Sequence, residues 1–105
     1  MGLQERKVLP PDAPVPAGAA DAGTAPPADR VERLAASGGA VLVTLETDAR
    51  EPDPGLLAAA SVYAWLGATL FRVPESQADG TRQVLDMVAS IQGTRPPAVA
   101  RRGLA

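Results

Sequence analysis

The chain has 105 residues, ten Lys or Arg against twelve Asp or Glu, a formal net charge of −2, and neither cysteine nor histidine. Disulfides, thiolate nucleophiles, imidazole bases and the usual zinc ligands are thereby excluded together. With Lys7 its sole lysine, the chain also lacks the clustered basic footprint of a nucleic-acid binder. Any catalysis would rest on carboxylates, arginines and hydroxyls, and neither a metal nor a cofactor is expected.

Residues 1–28 hold six of the eleven prolines (Pro10, Pro11, Pro14, Pro16, Pro26, Pro27), few large apolar residues and no periodicity. Such composition predicts a disordered, PPII-like arm. The opening MGLQERKVLPPDAP has no apolar signal core, and Arg6 stands where a myristoylation motif wants Ser or Thr, so the cytoplasm is the expected compartment. About 60 ordered residues remain for a core, few enough that the unit is marginal alone.

Folding is expected from Asp29. Asp29-Arg30-Val31-Glu32 has capping-box spacing, and Val31, Leu34 and Ala35 give a helical apolar stripe that Ser37-Gly38-Gly39 stops. Ala40–Leu45 (AVLVTL) is a continuous aliphatic run, the pattern of a parallel strand covered on both faces. Asp53 then suits an N-cap and Pro54 a first helical position, with Gly67 as the C-cap. The apolar run Leu56–Gly67 is twelve residues long, short of the roughly twenty that span a bilayer.

A second strand, Ala68–Val73 (ATLFRV), ends at Pro74, which has no amide hydrogen for a ladder. The segment PESQADG reads as a polar loop. Thr81–Gln92 places Val84, Leu85, Val88 and Ile91 on one helical face, with Gly93 closing it. Residues 95–105 read as a flexible basic tail. The fold class is therefore α/β, with two parallel strands in a right-handed crossover, about three helices, and an ordered unit over residues 29–94.

The stretch GATLFRVPESQADGTRQVLDMVASIQGTRPPAVARRGLA, with the helix LLAAASVYAWL before it, resembles the C-terminal quarter of dihydropteroate synthases, in particular the divergent second actinobacterial type. The resemblance is tightest over Thr81–Thr94 and the tail, and can be followed back to about Arg30. It implies part of a (β/α)8 barrel, from its sixth helix to its eighth, and a relation to folate biosynthesis, where the family joins a hydroxymethyl-pterin pyrophosphate to p-aminobenzoate. It also implies that the last three helices form a homodimer interface.

The family's motifs are incomplete here. Its strand-seven loop carries Ser-x-Lys, whose lysine holds the pterin, and its strand eight ends in Arg-x-His, which helps bind pyrophosphate. This chain has LETDAREP at the first place and Arg72-Val73-Pro74 at the second. Each missing charge-assisted hydrogen bond is worth about 1.5–3 kcal/mol, so losing two removes orders of magnitude of rate. The N-terminal motifs of the family have no counterpart in residues 1–28.

Arg72 is the candidate ligand-binding residue, as a retained anion contact; the alternative is a solvated or salt-bridged strand terminus. Ser37-Gly38-Gly39 lacks the lysine of a phosphate loop and reads as a C-cap. Glu46, Asp48 and Glu51 have no acid–base spacing and read as solvated charges. Tyr63 and Trp65 read as core or interface residues, and Arg95, Arg101 and Arg102 as a solvated tail. No catalytic residue is assigned. The function expected is that of a truncated dihydropteroate-synthase-like pseudoenzyme, inactive alone and associating with a full-length paralogue or with itself through the faces at Leu57, Val62, Leu85 and Val88. The alternative is a residual pterin- or pyrophosphate-binding module, or a split synthase; partners are not expected to include nucleic acid or membrane.

Overall fold

The aliphatic run of the sequence becomes the centre of a four-stranded, all-parallel sheet in the computed structural model, which describes residues 5–93. The strands are β1 (Lys7–Leu9), β2 (Ala20–Thr24), β3 (Val41–Thr44) and β4 (Leu70–Arg72), in the spatial order β1-β4-β3-β2. All four residues of β3 are buried, as the unbroken Val/Leu pattern requires of a central parallel strand. The fold is α/β with parallel strands, as expected, but with four strands where two were read.

The two additional strands lie within residues 1–28, so the expected disordered arm is corrected over much of its length. ADAGT and KVL have little β-propensity of their own. Their order comes from neighbours already extended beside them: Lys7 N–H donates to Thr69 O at 2.9 Å, Ala20 N–H to Ala40 O at 2.9 Å, and Ala25 N–H to Thr44 O at 2.9 Å. A ladder offered by β3 and β4 outweighs a weak local preference.

Three helices complete the unit: α1 (Ala28–Ala36), α2 (Pro54–Leu66) and α3 (Ala78–Gln92). The second has the caps that its sequence announces. Asp53 accepts from Gly55 N–H and Leu56 N–H, Pro54 opens the first turn, and Gly67 ends it in the left-handed region at φ 118°. A side chain at Gly67 would also bring its Cβ to 2.5 Å from Ala35 Cβ, so this glycine is what lets α1 and α2 approach. By contrast, α1 has no capping box: Pro27 is its N-cap without a side-chain bond, while Asp29 lies in the first turn and pairs with Arg33. The loop read at PESQADG is mostly helical, a 3₁₀ turn at Glu75–Gln77 running into α3.

Side chains alternate across the sheet. Val41, Val43, Phe71 and Val73 form one core with Val31 of α1, Leu56, Ala60 and Ala64 of α2, and Leu85 and Val88 of α3. All three helices thus cover the same face. Leu42 and Leu70 point the other way and are equally buried, at 0% and 8% exposed. Among the described residues, Pro10–Ala19 is the connection left to cross that face. It must carry the chain from the C-terminal end of edge strand β1 to the start of the far edge strand β2, a lateral distance of about 14 Å at three strand spacings. Right-handedness demands this route as well, because β2→β3→β4 runs across the sheet in one direction with helices on one face, and β1→β2 runs back in the other.

Candidate functional site

The C-terminal ends of the strands are where parallel α/β folds bring polar side chains together; two strand ends do so here, joined by a carboxylate from the first half of β2. Register pairs Thr44 with Arg72 and with Thr24, and Asp21 with Leu42, which puts Asp21, Thr44 and Arg72 on the helix-free face. Arg72 Nε donates to Thr44 Oγ1 at 3.0 Å, and Nη1 donates to Ala13 O at 2.7 Å. Its Nη2 lies 3.7 Å from Asp21 Oδ2, and its side chain is 18% exposed. The sequence-selected arginine therefore sits at the productive end of β4, with its guanidinium engaged by three partners of the same chain.

Around it the family's chemistry is not assembled. Pro74, at the position of the expected histidine, begins the 3₁₀ turn and accepts from Gln77 N–H at 2.9 Å. Glu46, Asp48 and Glu51 are solvent-exposed on the loop after β3. Among the described residues no group of three or more Asp or Glu is placed to hold a metal ion. Ser37 and Gly38 form the C-terminal cap of α1: Ser37 Oγ donates to Leu34 O at 2.7 Å and Gly38 N–H to Ala35 O at 3.0 Å. Arg95, Arg101 and Arg102 lie outside the described residues.

The best-built polar network is one that sequence reasoning missed. Gln77, 0% exposed, donates through Nε2 to Glu51 O at 2.8 Å and accepts Asp53 N–H through Oε1 at 2.9 Å. Next to it, Ser76 Oγ donates to Ala49 O at 2.8 Å. Together they fasten the loop after β3 to the turn after β4. Thr47 Oγ1 donates to Asp53 Oδ2 at 2.7 Å, and this bond with the amides of the α2 N-terminus holds the Asp53 carboxyl below its ordinary pKa. No local signal marks Gln77, since the backbone groups of Glu51 and Asp53 that it binds are 24–26 residues away.

On the opposite side of the molecule, α2 and α3 present an apolar outer face. Val62 is 55% exposed, Trp65 55%, Met87 62% and Ile91 66%. With Leu57 and Val84 they line a groove of about 430 Å³ that contains Ser61 as its only polar residue. Of the association residues read from sequence, Val62 lies on this face, Leu57 and Val88 line its groove while also packing on the core, and Leu85 belongs to the core against the sheet. Tyr63 packs on the core and donates its hydroxyl to Pro26 O at 2.6 Å, and burial raises its pKa. Trp65 alone of the two aromatics faces outward. No described helix is long and apolar enough to cross a membrane.

No family model and no solved structure matches the chain. Curated proteins do. Over 62 residues, 59% of this chain, it is 55% identical to inactive dihydropteroate synthase 2 of Mycobacterium tuberculosis and to that of Mycobacterium bovis. The corresponding protein of Mycobacterium leprae is 53% identical over 62 residues. The matched stretch is 19–21% of those proteins' own length. Over that stretch the chain resembles inactive dihydropteroate synthase 2, about one-fifth of which it spans.

Proposed function

We propose that this chain is a catalytically silent, dihydropteroate-synthase-like protein related to folate biosynthesis, acting in the cytoplasm as an association partner of a full-length paralogue. The observation that carries this reading is the apolar outer face of α2 and α3, where Val62, Trp65, Met87 and Ile91 are more than half exposed while the strand ends hold an arginine already paired. Four of the five exposed large hydrophobic residues among those described lie on that face. Such clustering marks an interaction surface.

The fold is read as part of a (β/α)8 wall. In a closed barrel the first strand pairs with the last, and here β1 pairs with β4. Helices line one face only, again as in a barrel wall. Completion of that barrel by another chain is disfavoured at both sheet edges. On β2, Arg30 Nε donates to Ala22 O at 2.9 Å, and a register irregularity falls between Asp21 and Gly23. On β1, a strand of three residues that begins with Lys7 and is followed by Pro10 makes a short, guarded edge. A split synthase needs open edges, and an anion-binding module needs a guanidinium free of partners; an association partner needs neither.

Complementation of a dihydropteroate-synthase-deficient strain tests the reading. The chain alone is expected to give no rescue. Rescue by the chain alone would overturn catalytic silence, and rescue only with a paralogue that is itself insufficient would establish a split synthase.

A further inference from the structure

The helix-free face of the sheet is finished by the chain itself. Pro10–Ala19 leaves β1 at its C-terminal end and reaches β2 at its start, with Ala13 N–H donating to Pro10 O and Ala19 N–H to Pro16 O, both at 3.0 Å. Two turns therefore fold the segment back on itself. Ten residues could reach about 33 Å extended, ample for the lateral crossing of about 14 Å between the outer strands. Pro10, Pro11, Pro14 and Pro16 restrict the backbone of this stretch before it folds, lowering the entropy lost when it is laid down.

One strand-end side chain fastens the crossing. Arg72 Nη1 donates to Ala13 O at 2.7 Å while Nε donates to Thr44 Oγ1 at 3.0 Å, so one guanidinium joins the crossing segment to β3 and β4. Asp21, at 3.7 Å, places a carboxylate from β2 beside the same group. Below this polar layer, Leu42 and Leu70 are buried although they lie outside the core that the helices share. A half-open sheet would expose them.

We infer that Pro10–Ala19 is an intramolecular plug, fastened by Arg72, which closes the cleft at the strand ends against small anions and seals the Leu42–Leu70 face against a second sheet. Arg72 here is a positioning residue for the plug. The plug makes the unit self-contained: the surface that would line the interior of a complete barrel is occupied by the chain's own backbone. This inference stands independently of any partner bound by the helices.

Hydrogen exchange on the whole chain tests it, read by residue and combined with titration by millimolar inorganic pyrophosphate. In the native protein the Ala13 and Ala19 amides are expected to be protected, and pyrophosphate to leave the Arg72 Nε resonance unmoved. In Arg72→Ala, exchange at Ala13 and Ala19 should rise about tenfold or more while residues 41–44 stay protected, because a charge-assisted bond to the plug is lost. A second variant, Pro11→Gly with Pro14→Gly and Pro16→Gly, leaves Arg72 in place; it should loosen the same amides and increase binding of a hydrophobic dye. Unchanged exchange of the plug in a folded Arg72→Ala protein would overturn the inference. So would saturable movement of the Arg72 resonance by pyrophosphate in the native chain, or unaltered protection in the proline variant should Arg72→Ala fail to fold.

Discussion

Two polar residues set the character of the strand ends, and only one could be found by reading. Arg72 follows a hydrophobic run and precedes a proline, so its place at the end of β4 was legible in the sequence; its partners were not, because Ala13 is 59 residues away. Gln77 was illegible altogether, lying in a polar segment that carries no apolar period. Its burial follows from tertiary contacts with the loop after β3. Replacing it with alanine removes its hydrogen bonds to Asp53 N–H and Glu51 O, each worth about 0.5–1.5 kcal/mol, and empties a fully buried site, which adds the cost of the vacated volume. Gln77→Ala is therefore expected to lower stability by about 2–4 kcal/mol, seen as a lower urea midpoint, with faster exchange of the Asp53 amide. Gln77→Glu keeps the acceptor for Asp53 but removes the amide donor and sets a carboxylate against Glu51 O. It should destabilise at neutral pH as well.

At the scale of elements, what the sequence spelled out was whatever it encoded locally. The helix from Pro54 to Leu66 has an Asp cap, a proline in its first turn and a terminal glycine, and it appears with those bounds. Both central strands were legible from their aliphatic runs. The edge strands were not, since KVL and ADAGT become strands only because β4 and β3 present a ladder to them. α3 begins at Ala78, ahead of the expected Thr81, because the 3₁₀ turn at Glu75–Gln77 feeds directly into it. The junction of α1 and α2 supplies a sharp test. Gly67→Ala should cost about 2–4 kcal/mol, combining a left-handed backbone with overpacking against Ala35. Gly93→Ala, also at positive φ but with open space around it, should cost only about 1 kcal/mol. Chemical denaturation of the two variants should separate them clearly.

At the scale of the whole molecule, the sheet has one face under helices and the other under its own crossing segment, while the outer side of α2 and α3 is left apolar. Fully burying a side chain such as Val, Ile or Met is worth about 1.5–3 kcal/mol, so covering these half-exposed residues contributes about 4–7 kcal/mol. Association itself opposes this with an estimated 4–15 kcal/mol of lost freedom. The four side chains alone therefore support a weak complex at most, and a firm one requires additional contacts from a larger partner. The proposed association is tested by sedimentation velocity of this chain mixed with a full-length dihydropteroate synthase as the proposed partner, beside the variant Trp65→Glu with Ile91→Glu, whose side chains are exposed and whose fold is checked by circular dichroism. The native chain is expected to co-sediment with that partner and the folded double variant to sediment alone; no complex with the native chain, or one that the double variant forms equally well, would overturn the proposed association.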